Sequence, residues 1–528
     1  MKRIISVLLI TLLLCSCTNK NDTKQIDDYL SPAYVSPIES WEKYDNLLSL
    51  ISSERDISKR NDLIRDAEDI LMATNAILPL YYQKSFVLKK AHLDGVVISK
   101  QGGISYRNAR LTNGSSTLNC GILDIPDIIN PSNATTNDEL SLVLNTYCGL
   151  YTIDKNNEAI KDLAKDCYLE KIHDNLNATY VIELKENAKW SNGDFVTAND
   201  YIYAWNRAKD DTNGYLFENI VGYPDELKIS ARDHYTIEIT FKKPCNYLEE
   251  LLAFPAFFPM HKTSKSAFNG PFTYSTDIDG VTLTKNANYI KADKVSLEKV
   301  SFKKYASVSE MLEDYNNGKL DILTEVPDEA YSLYNSTNEL IASDLFGTYC
   351  LTLNVKGNAF SNRSDKKMAC CMYAIQTIID RKAIITDVLK RDYVAASSII
   401  PKSTYFDPYK INTSTKESYS IAREYLTLGG YELDKNGKIS SSSPFPLVYL
   451  TIKDSVHHEI ANYVKEDLET LGITVTIKAV DAVTYLYLAN EGSYDITHLA
   501  LNSLIYDPYT LLQVFSSTSA TNLSRFGK

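Results

Sequence analysis

The chain has 528 residues, with 44% hydrophobic, 11% aromatic and 23% charged content, which excludes intrinsic disorder and collagen-like repeats. Its formal charge of −12, from 55 Lys and Arg against 67 Asp and Glu, excludes a broad nucleic-acid footprint, because counterion release from phosphates needs clustered cations. At roughly 100–200 residues per domain, the length predicts two or three domains, or two lobes that each bury a core.

Met1-Lys2-Arg3 supplies a cationic start, Ile4 to Leu14 is an almost unbroken apolar run, and Leu14-Cys15-Ser16-Cys17 follows. This is the layout of a secretory signal peptide, 1–16, and the run is too short to span a bilayer. Leu-x-small-Cys resembles a bacterial lipobox, which makes Cys17 the lipidated N-terminus; a plain cleaved signal with an incidental cysteine is the alternative. No later segment reaches about eighteen apolar residues, so a lipid is expected to be the only membrane anchor, on the extracellular face of the cell membrane. Residues 17–37, polar and carrying Pro32 and Pro37, suit a flexible tether.

Helical spacing follows. Trp41, Tyr44, Leu47, Leu48 and Ile51 recur at three and four residues, as do Leu63, Ile64, Ala67, Ile70 and Leu71 after Asp56-Ile57-Ser58. Pro79 is expected to end this helix, with Leu80-Tyr81-Tyr82 extended. Val96-Val97-Ile98 is a short strand, and Thr112 to Thr117 is a small polar linker. Strands and helices then alternate. Tyr180 to Leu184 is a half-buried strand, Ser191-Asn192-Gly193-Asp194 a turn, and Thr197 caps a helix carrying Tyr201, Ala204, Trp205 and Ala208. Tyr235 to Phe241 is another strand, and the alternation continues through Glu310–Tyr315, Lys366–Ile379, Ser418–Leu428, His458–Leu471 and Ile473–Lys478. Mixed order of this kind predicts an α/β protein.

Besides Cys15 and Cys17, the cysteines are Cys120, Cys148, Cys167, Cys245, Cys350, Cys370 and Cys371; seven cannot all pair within one chain, and none has CxxC spacing. Buried free thiols are expected rather than a disulfide framework or structural zinc. His457 and His458 are adjacent rather than at i, i+4, so they are read as surface helix residues and no metal site is assigned. GxSxG, HExxH, GxxxxGK[ST] and GxGxxG are all missing, and carboxylate pairs on so acidic a chain are read as solvated faces. No catalytic residue, no cofactor and no enzyme activity is assigned.

Ala188-Lys189-Trp190-Ser191-Asn192-Gly193-Asp194, then Val196-Thr197-Ala198-Asn199-Asp200 and Tyr203-Ala204-Trp205, resemble the oligopeptide-binding proteins of bacterial ABC importers, the extracellular solute-binding family 5. Gly149-Leu150-Tyr151, Leu251 to Pro255, Asn269-Gly270-Pro271-Phe272, Lys285 to Tyr289, Asp380-Arg381 and Asp507-Pro508 agree in the family's order. The resemblance implies a two-lobed, periplasmic-binding-protein-like α/β fold (type II, Venus-flytrap) with an extra subdomain in the first lobe, closing on a ligand. One feature departs from it. Residues 41–84 resemble the segment that lies near the C-terminus in relatives, and Asp507-Pro508 to Lys528 resembles the segment just before it. This is read as a circular permutation, with a duplicated fragment or a chance match as alternatives. Lobe 2 is then expected from 38–84 and 272–528 and lobe 1 from 85–271 with its linker near 112–117, hinged by crossing strands near Gln83-Lys84 and Phe272-Thr273.

By position, the resemblance implies peptide-binding strands at Ala134-Thr135-Thr136-Asn137 and Leu499-Ala500-Leu501-Asn502. The candidate ligand residues are Asn137, Thr135, His498, Ala500, Asn502, Leu504, Gln83 and Phe272. Many relatives carry a Trp and an amine-binding Asp where this chain has Leu501 and Leu504, and an acid where it has Cys148; a ligand-binding basic residue of some relatives becomes His498. Losing a buried charge partner costs about 3–5 kcal/mol, so a ligand with a blocked or distant amino end, a longer apolar or modified peptide, or another uncharged solute is expected. The implied partners are a peptide and an ABC permease, with membrane attachment through the N-terminal lipid, no nucleic acid and a monomeric state. A non-transport surface receptor or adhesin on the same scaffold is the alternative.

Overall fold

The computed structural model describes residues 36–99, 102–126, 128–134, 136–156, 158–173, 177–210, 227–242, 244–401, 415–442, 444–453, 455–503 and 505–528. In chain order its main elements begin with helices α1 (Trp41–Ser53) and α2 (Ile57–Ala73), strand β1 (Ile77–Lys89), strand β2 (Thr117–Ile122) and helix α3 (Asn137–Thr146). Next come β3 (Ala164–Ile172), β4 (Ala178–Leu184), α4 (Ala198–Asp210), β5 (Leu227–Asp233), β6 (Thr236–Phe241), α5 (Leu248–Leu252), β7 (Phe272–Asp277), β8 (Gly280–Lys285) and β9 (Lys299–Lys304). The remainder supplies β10 (Ile322–Leu323), β11 (Leu340–Leu353), α6 (Asp365–Ile378), α7 (Thr415–Leu428), β12 (Phe445–Ile452), α8 (Val456–Thr470), β13 (Ile473–Val480), α9 (Ala482–Glu491), β14 (Ile496–Asn502) and α10 (Pro508–Leu512).

The N-terminal helices form as their spacing dictates. Tyr44, Leu47, Leu48 and Ile51 bury one face of α1, and Ile64, Ala67 and Leu71 bury one face of α2. Asp56 starts α2 by accepting a bond from the Lys59 amide at 3.0 Å. The helix ends at Ala73, where Asn75 turns the chain with φ 55°, and not at Pro79. Pro79 lies inside β1, tolerated beside the register irregularity between residues 79 and 81. Two Asp200 contacts fix the start of α4: its carboxylate accepts from the Thr197 amide at 2.8 Å and the Thr197 hydroxyl at 3.1 Å.

Two cores result. In the first lobe an antiparallel sheet of order β5-β6-β4-β3 and a sheet of order β7-β8-β9-β2 share a core with Trp190, Trp205, Tyr147 and Phe254. β2 and β9 run parallel; the other neighbours in that second sheet are antiparallel. The second lobe is built on the strands β1-β11-β14-β12-β13, with Val394–Ala395 also paired to β1; β10 extends this sheet at the far end of β1, opposite Leu88 and Lys89, where Ile322 packs in the first core. Its strands alternate their side chains between two layers. Leu78, Leu351, Leu447 and Ile496 pack with α6 and α8 residues such as Met372 and Val464, whereas Ile77, Cys350 and Leu501 pack against Tyr44, Leu48, Ile64 and Leu71 of α1 and α2.

β1 and β11 pass from one core to the other. Tyr81 and Leu351 belong to the second lobe, while Phe86 and Leu88 join Tyr315 and Tyr331 beside the first. Between the pairs Tyr82–Thr348 and Lys84–Asp344 the register breaks, so the crossing at Gln83-Lys84 coincides with an irregularity in the ladder. The expected crossing at Phe272-Thr273 is different in the structure. Phe272 is fully buried in the first core, β7 to β9 complete the sheet that holds β2, and Val300 and Phe302 pack there too. Phe272 thus starts a hairpin strand of the first core, because a hairpin strand and a crossing strand share one alternating pattern in sequence.

Candidate functional site

The site is built around β14. Its start is paired on both sides, with β12 at Ile496 and Thr497 and with β11 throughout, from Leu353–Ile496 to Gly347–Asn502. Beyond Thr497 the β12 side has no ladder partner among the described residues. The Tyr485 hydroxyl of α9 donates to the His498 carbonyl at 2.8 Å, and the Leu501 carbonyl faces Gly347 of β11, so by strand alternation the peptide groups of Ala500 and Asn502 point to the open edge. Ala500 and Asn502 are exposed and share a face with His498.

Gln83 reaches this strand from the crossing. Its Nε2 donates to the Leu501 carbonyl at 2.6 Å. Gly347 stands beside that carbonyl, and a Cβ there would lie 2.4 Å from the oxygen, closer than any side chain can approach. Glycine is thus required where β11 passes the Gln83 contact.

His498 is buried in a stack of rings. Its imidazole lies 4.2 Å from that of His457, 4.7 Å from Tyr485 and 5.9 Å from Tyr349, all near parallel, and Tyr81 continues the stack 4.9 Å from Tyr349. The Tyr349 hydroxyl and His457 Nδ1 are 2.9 Å apart. Burial, reinforced by the neighbouring His457, pushes His498 down to about 3, and burial lowers His457 as well. Both rings are neutral at pH 7, and His498 Nδ1 has no hydrogen-bond partner among the described residues. The stacked rings are thus neutral, and beside them β14 presents the peptide groups of its open edge.

Of the residues expected at the site, His498, Ala500, Asn502 and Gln83 are brought together. Asn137 is an exposed residue of the first lobe at the start of α3, beside Gly102. The segment containing it is not a strand: the Thr136 hydroxyl accepts from the Glu139 amide while the Glu139 carboxylate accepts from the Thr136 amide, a capping box that commits Asn137 to a helix. Phe272 is buried in the first core and does not reach β14. Thr135, Leu504 and Cys17 lie outside the described residues, as do the signal peptide and nearly all of the tether. Leu501, expected on the ligand face in place of a Trp, points instead into the α1 and α2 layer.

Cys148 is also away from β14, in the first core. Its thiol accepts from Arg107 Nη2 at 3.1 Å in a buried ionic cluster, where Asp162 takes Arg107 Nη1 at 2.7 Å and Lys291 Nζ at 2.9 Å. Asp162 there supplies the acid that position 148 does not. Reading His457 as a surface residue is likewise overturned, since it is half-buried and stacked. Neither His457 nor Tyr349, Tyr81 and Tyr485 were identified from the sequence; the one signal available was that Tyr349, Leu351 and Leu353 alternate on a strand and so share a buried face.

Residues 160–522 match the family model of the bacterial extracellular solute-binding proteins, family 5 Middle. The chain is 25% identical over 444 residues to the oligopeptide-binding protein OppA of Bacillus subtilis, covering 78% of this chain and 79% of that one. Among solved structures it superposes on the unliganded open form of the periplasmic murein tripeptide binding protein MppA with a TM-score of 0.66, at 22% identity, over 82% of this chain and 84% of the other. It also superposes on Listeria monocytogenes OppA bound to peptide with a TM-score of 0.55, at 27% identity, over 78% and 86% of the two chains.

Proposed function

This chain belongs to the bacterial extracellular solute-binding proteins of family 5, and we propose that it is the lipid-anchored receptor of an ABC importer, closing two lobes on a peptide. Members of this family bind solutes and are not enzymes. The observation that carries the peptide reading is the open edge of β14: the backbone groups of Ala500 and Asn502 have no ladder partner among the described residues, and an extended peptide can add there as a strand. Similarity to OppA of Bacillus subtilis and to Listeria monocytogenes OppA bound to peptide supports the same class. A ligand gripped in this way is recognised through its main chain.

The neutral wall of His457, His498, Tyr349 and Tyr485 supports a narrower reading, a peptide whose amino end is blocked or distant from β14. An ammonium placed against two neutral imidazoles would lose its water without gaining a counter-charge. Thermal shift against matched peptides with free and acetylated amino ends tests this. Equal or greater stabilisation by the acetylated set is expected; stabilisation confined to free-amine dipeptides would refute the narrower reading, and no response to any peptide would refute the class.

Lipid anchoring rests on the Leu14-Cys15-Ser16-Cys17 motif, and metabolic labelling with a palmitate analogue, lost in Cys17→Ala, would test it. The circular permutation draws support from the packing of the two chain ends. The Tyr44 hydroxyl donates to the Leu512 carbonyl at 2.6 Å, Asp45 accepts from Ser517, and Trp41 lies against Gly527. α1 and α2 thus form one layer with α10. Under this reading lobe 1 runs from the β1 crossing to the β11 crossing, and lobe 2 takes both ends of the chain.

A further inference from the structure

Separate segments of the first lobe converge on Asp162, whose side chain is wholly buried just before β3. Arg107 arrives from a turn ahead of β2 and Lys291 from the loop between β8 and β9, and each donates to one carboxylate oxygen. Lys185 follows β4, and its Nζ donates to the Asp162 carbonyl at 2.6 Å. The other prong of Arg107 meets the Cys148 thiol, which burial pushes up and keeps neutral. Three cations are thus gathered on one acid, and among the described residues none of them has a second carboxylate within ion-pair distance.

The excess of positive charge is not sealed in. The Lys291 side chain is 40% exposed and Lys185 is half-buried, so the cluster reaches the surface on the side of the two lysines. Burial lowers Lys185 from its ordinary value, and the charge of Lys291 adds to the fall against the pull of Asp162. The aspartate therefore does not cancel what the lysines bring. Each ammonium carries three donors and uses one on Asp162. Tyr289, in the same loop as Lys291, stands with its ring 5.8 Å from the Arg107 guanidinium, and its buried hydroxyl has no hydrogen-bond partner among the described residues. Donors are in surplus here and acceptors are short.

We propose that this cluster binds a small, singly charged anion at its surface end, between the ammonium groups of Lys185 and Lys291. A partly desolvated excess of cations is stabilised by a counter-charge, and charge-assisted bonds from two ammonium groups supply the grip. Both ammonium groups stand on a single residue, so the span between them suits a halide or a small oxyanion and not an extended polyanion. The site is separate from the proposed peptide edge, since β14 belongs to the second lobe, and it does not depend on any movement of the lobes.

Chloride is the probe. The broadening of its NMR line on adding the ligand-free chain, with gluconate replacing chloride at fixed ionic strength, reads exchange with bound sites apart from general screening. The unaltered chain is expected to broaden the line. Lys291→Gln and Lys185→Gln, which keep a donor for Asp162 and lose the charge, are each expected to remove most of that broadening. Lys319→Gln, which removes a lysine paired with Asp314 elsewhere, is expected to leave it in place. Emission from Trp190 and Trp205, buried in the first core, reports that each variant is folded. No broadening by the unaltered chain, full broadening in either folded lysine variant of the cluster, or an equal loss in Lys319→Gln would overturn the inference. Because no peptide is present, these outcomes are independent of the thermal-shift result on ligand class.

Discussion

The most deeply buried polar clusters of the two lobes differ in kind. The first lobe keeps full charges inside: Asp162, with its side chain wholly buried, neutralises Arg107 and Lys291, and its carbonyl takes Lys185 at 2.6 Å. The second lobe buries neutral rings, with His457 and His498 stacked between Tyr349 and Tyr485 and both imidazoles uncharged. Charge is buried in the second half too, where Arg60 pairs with Asp507, but the residues beside the β14 edge are neutral rings and backbone groups.

Removing a charge should hurt the first lobe most. Asp162→Asn leaves Arg107 and Lys291 without their acid and is expected to lower stability by about 3–5 kcal/mol in urea unfolding, while affinity for a peptide at the proposed β14 edge stays within a factor of about two in the folded fraction. Burial alone would raise Asp162, but Arg107 and Lys291 outweigh it and hold the carboxyl down at about 2. The contribution is thus present above the ordinary carboxylate range and lost as pH falls towards 2. Equal damage to affinity and stability would break the contrast between the halves.

The second lobe has its own buried acid, and its pH dependence should run the other way. Glu68 accepts from the Ile400 amide at 2.8 Å, and burial pushes it up to about 7. Its protonated form is favoured in the folded chain, so stability is greatest below its ordinary value of 4.5 and declines as pH rises through about 7. The decline should approach about 3 kcal/mol at most. Glu68→Gln should flatten it, which melting curves from pH 5 to 8 would register, in steps of about half a unit.

Tyr485→Phe is the mildest change. It removes the hydroxyl that closes the His498 carbonyl on the β14 edge and should cost about 1 kcal/mol in melting experiments. The ring stack stays, so a much larger loss would mean that the hydroxyl, and not the stacking, organises the wall.

Much of this architecture was legible in the sequence where one pattern has one meaning. Helical spacing placed α1 and α2, and strand alternation placed β4 and β6. The family resemblance put His498, Ala500 and Asn502 on one strand. The pattern misled where two structures share it. Phe272 begins an alternating segment that suits a crossing strand and a hairpin equally, and only the pairing of β9 with β2 decides between them. Thr136-Asn137-Asp138-Glu139 carries capping-box spacing, yet position in the family favoured a strand. His457 beside His458 looks like a solvated face because nothing local announces that β14 will pass beneath it. Arg60 and Asp507 lie far apart along the chain, so their pairing is purely a product of the fold.

The placement of the indoles has a practical use. Trp190 and Trp205 are both sealed in the first core, while the third tryptophan, Trp41, sits on the outer layer of the second lobe against Gly527. Replacing Trp41 with Phe would leave a chain whose intrinsic fluorescence watches one half alone. Its emission should follow the melting of that half and stay silent when only the other half unfolds.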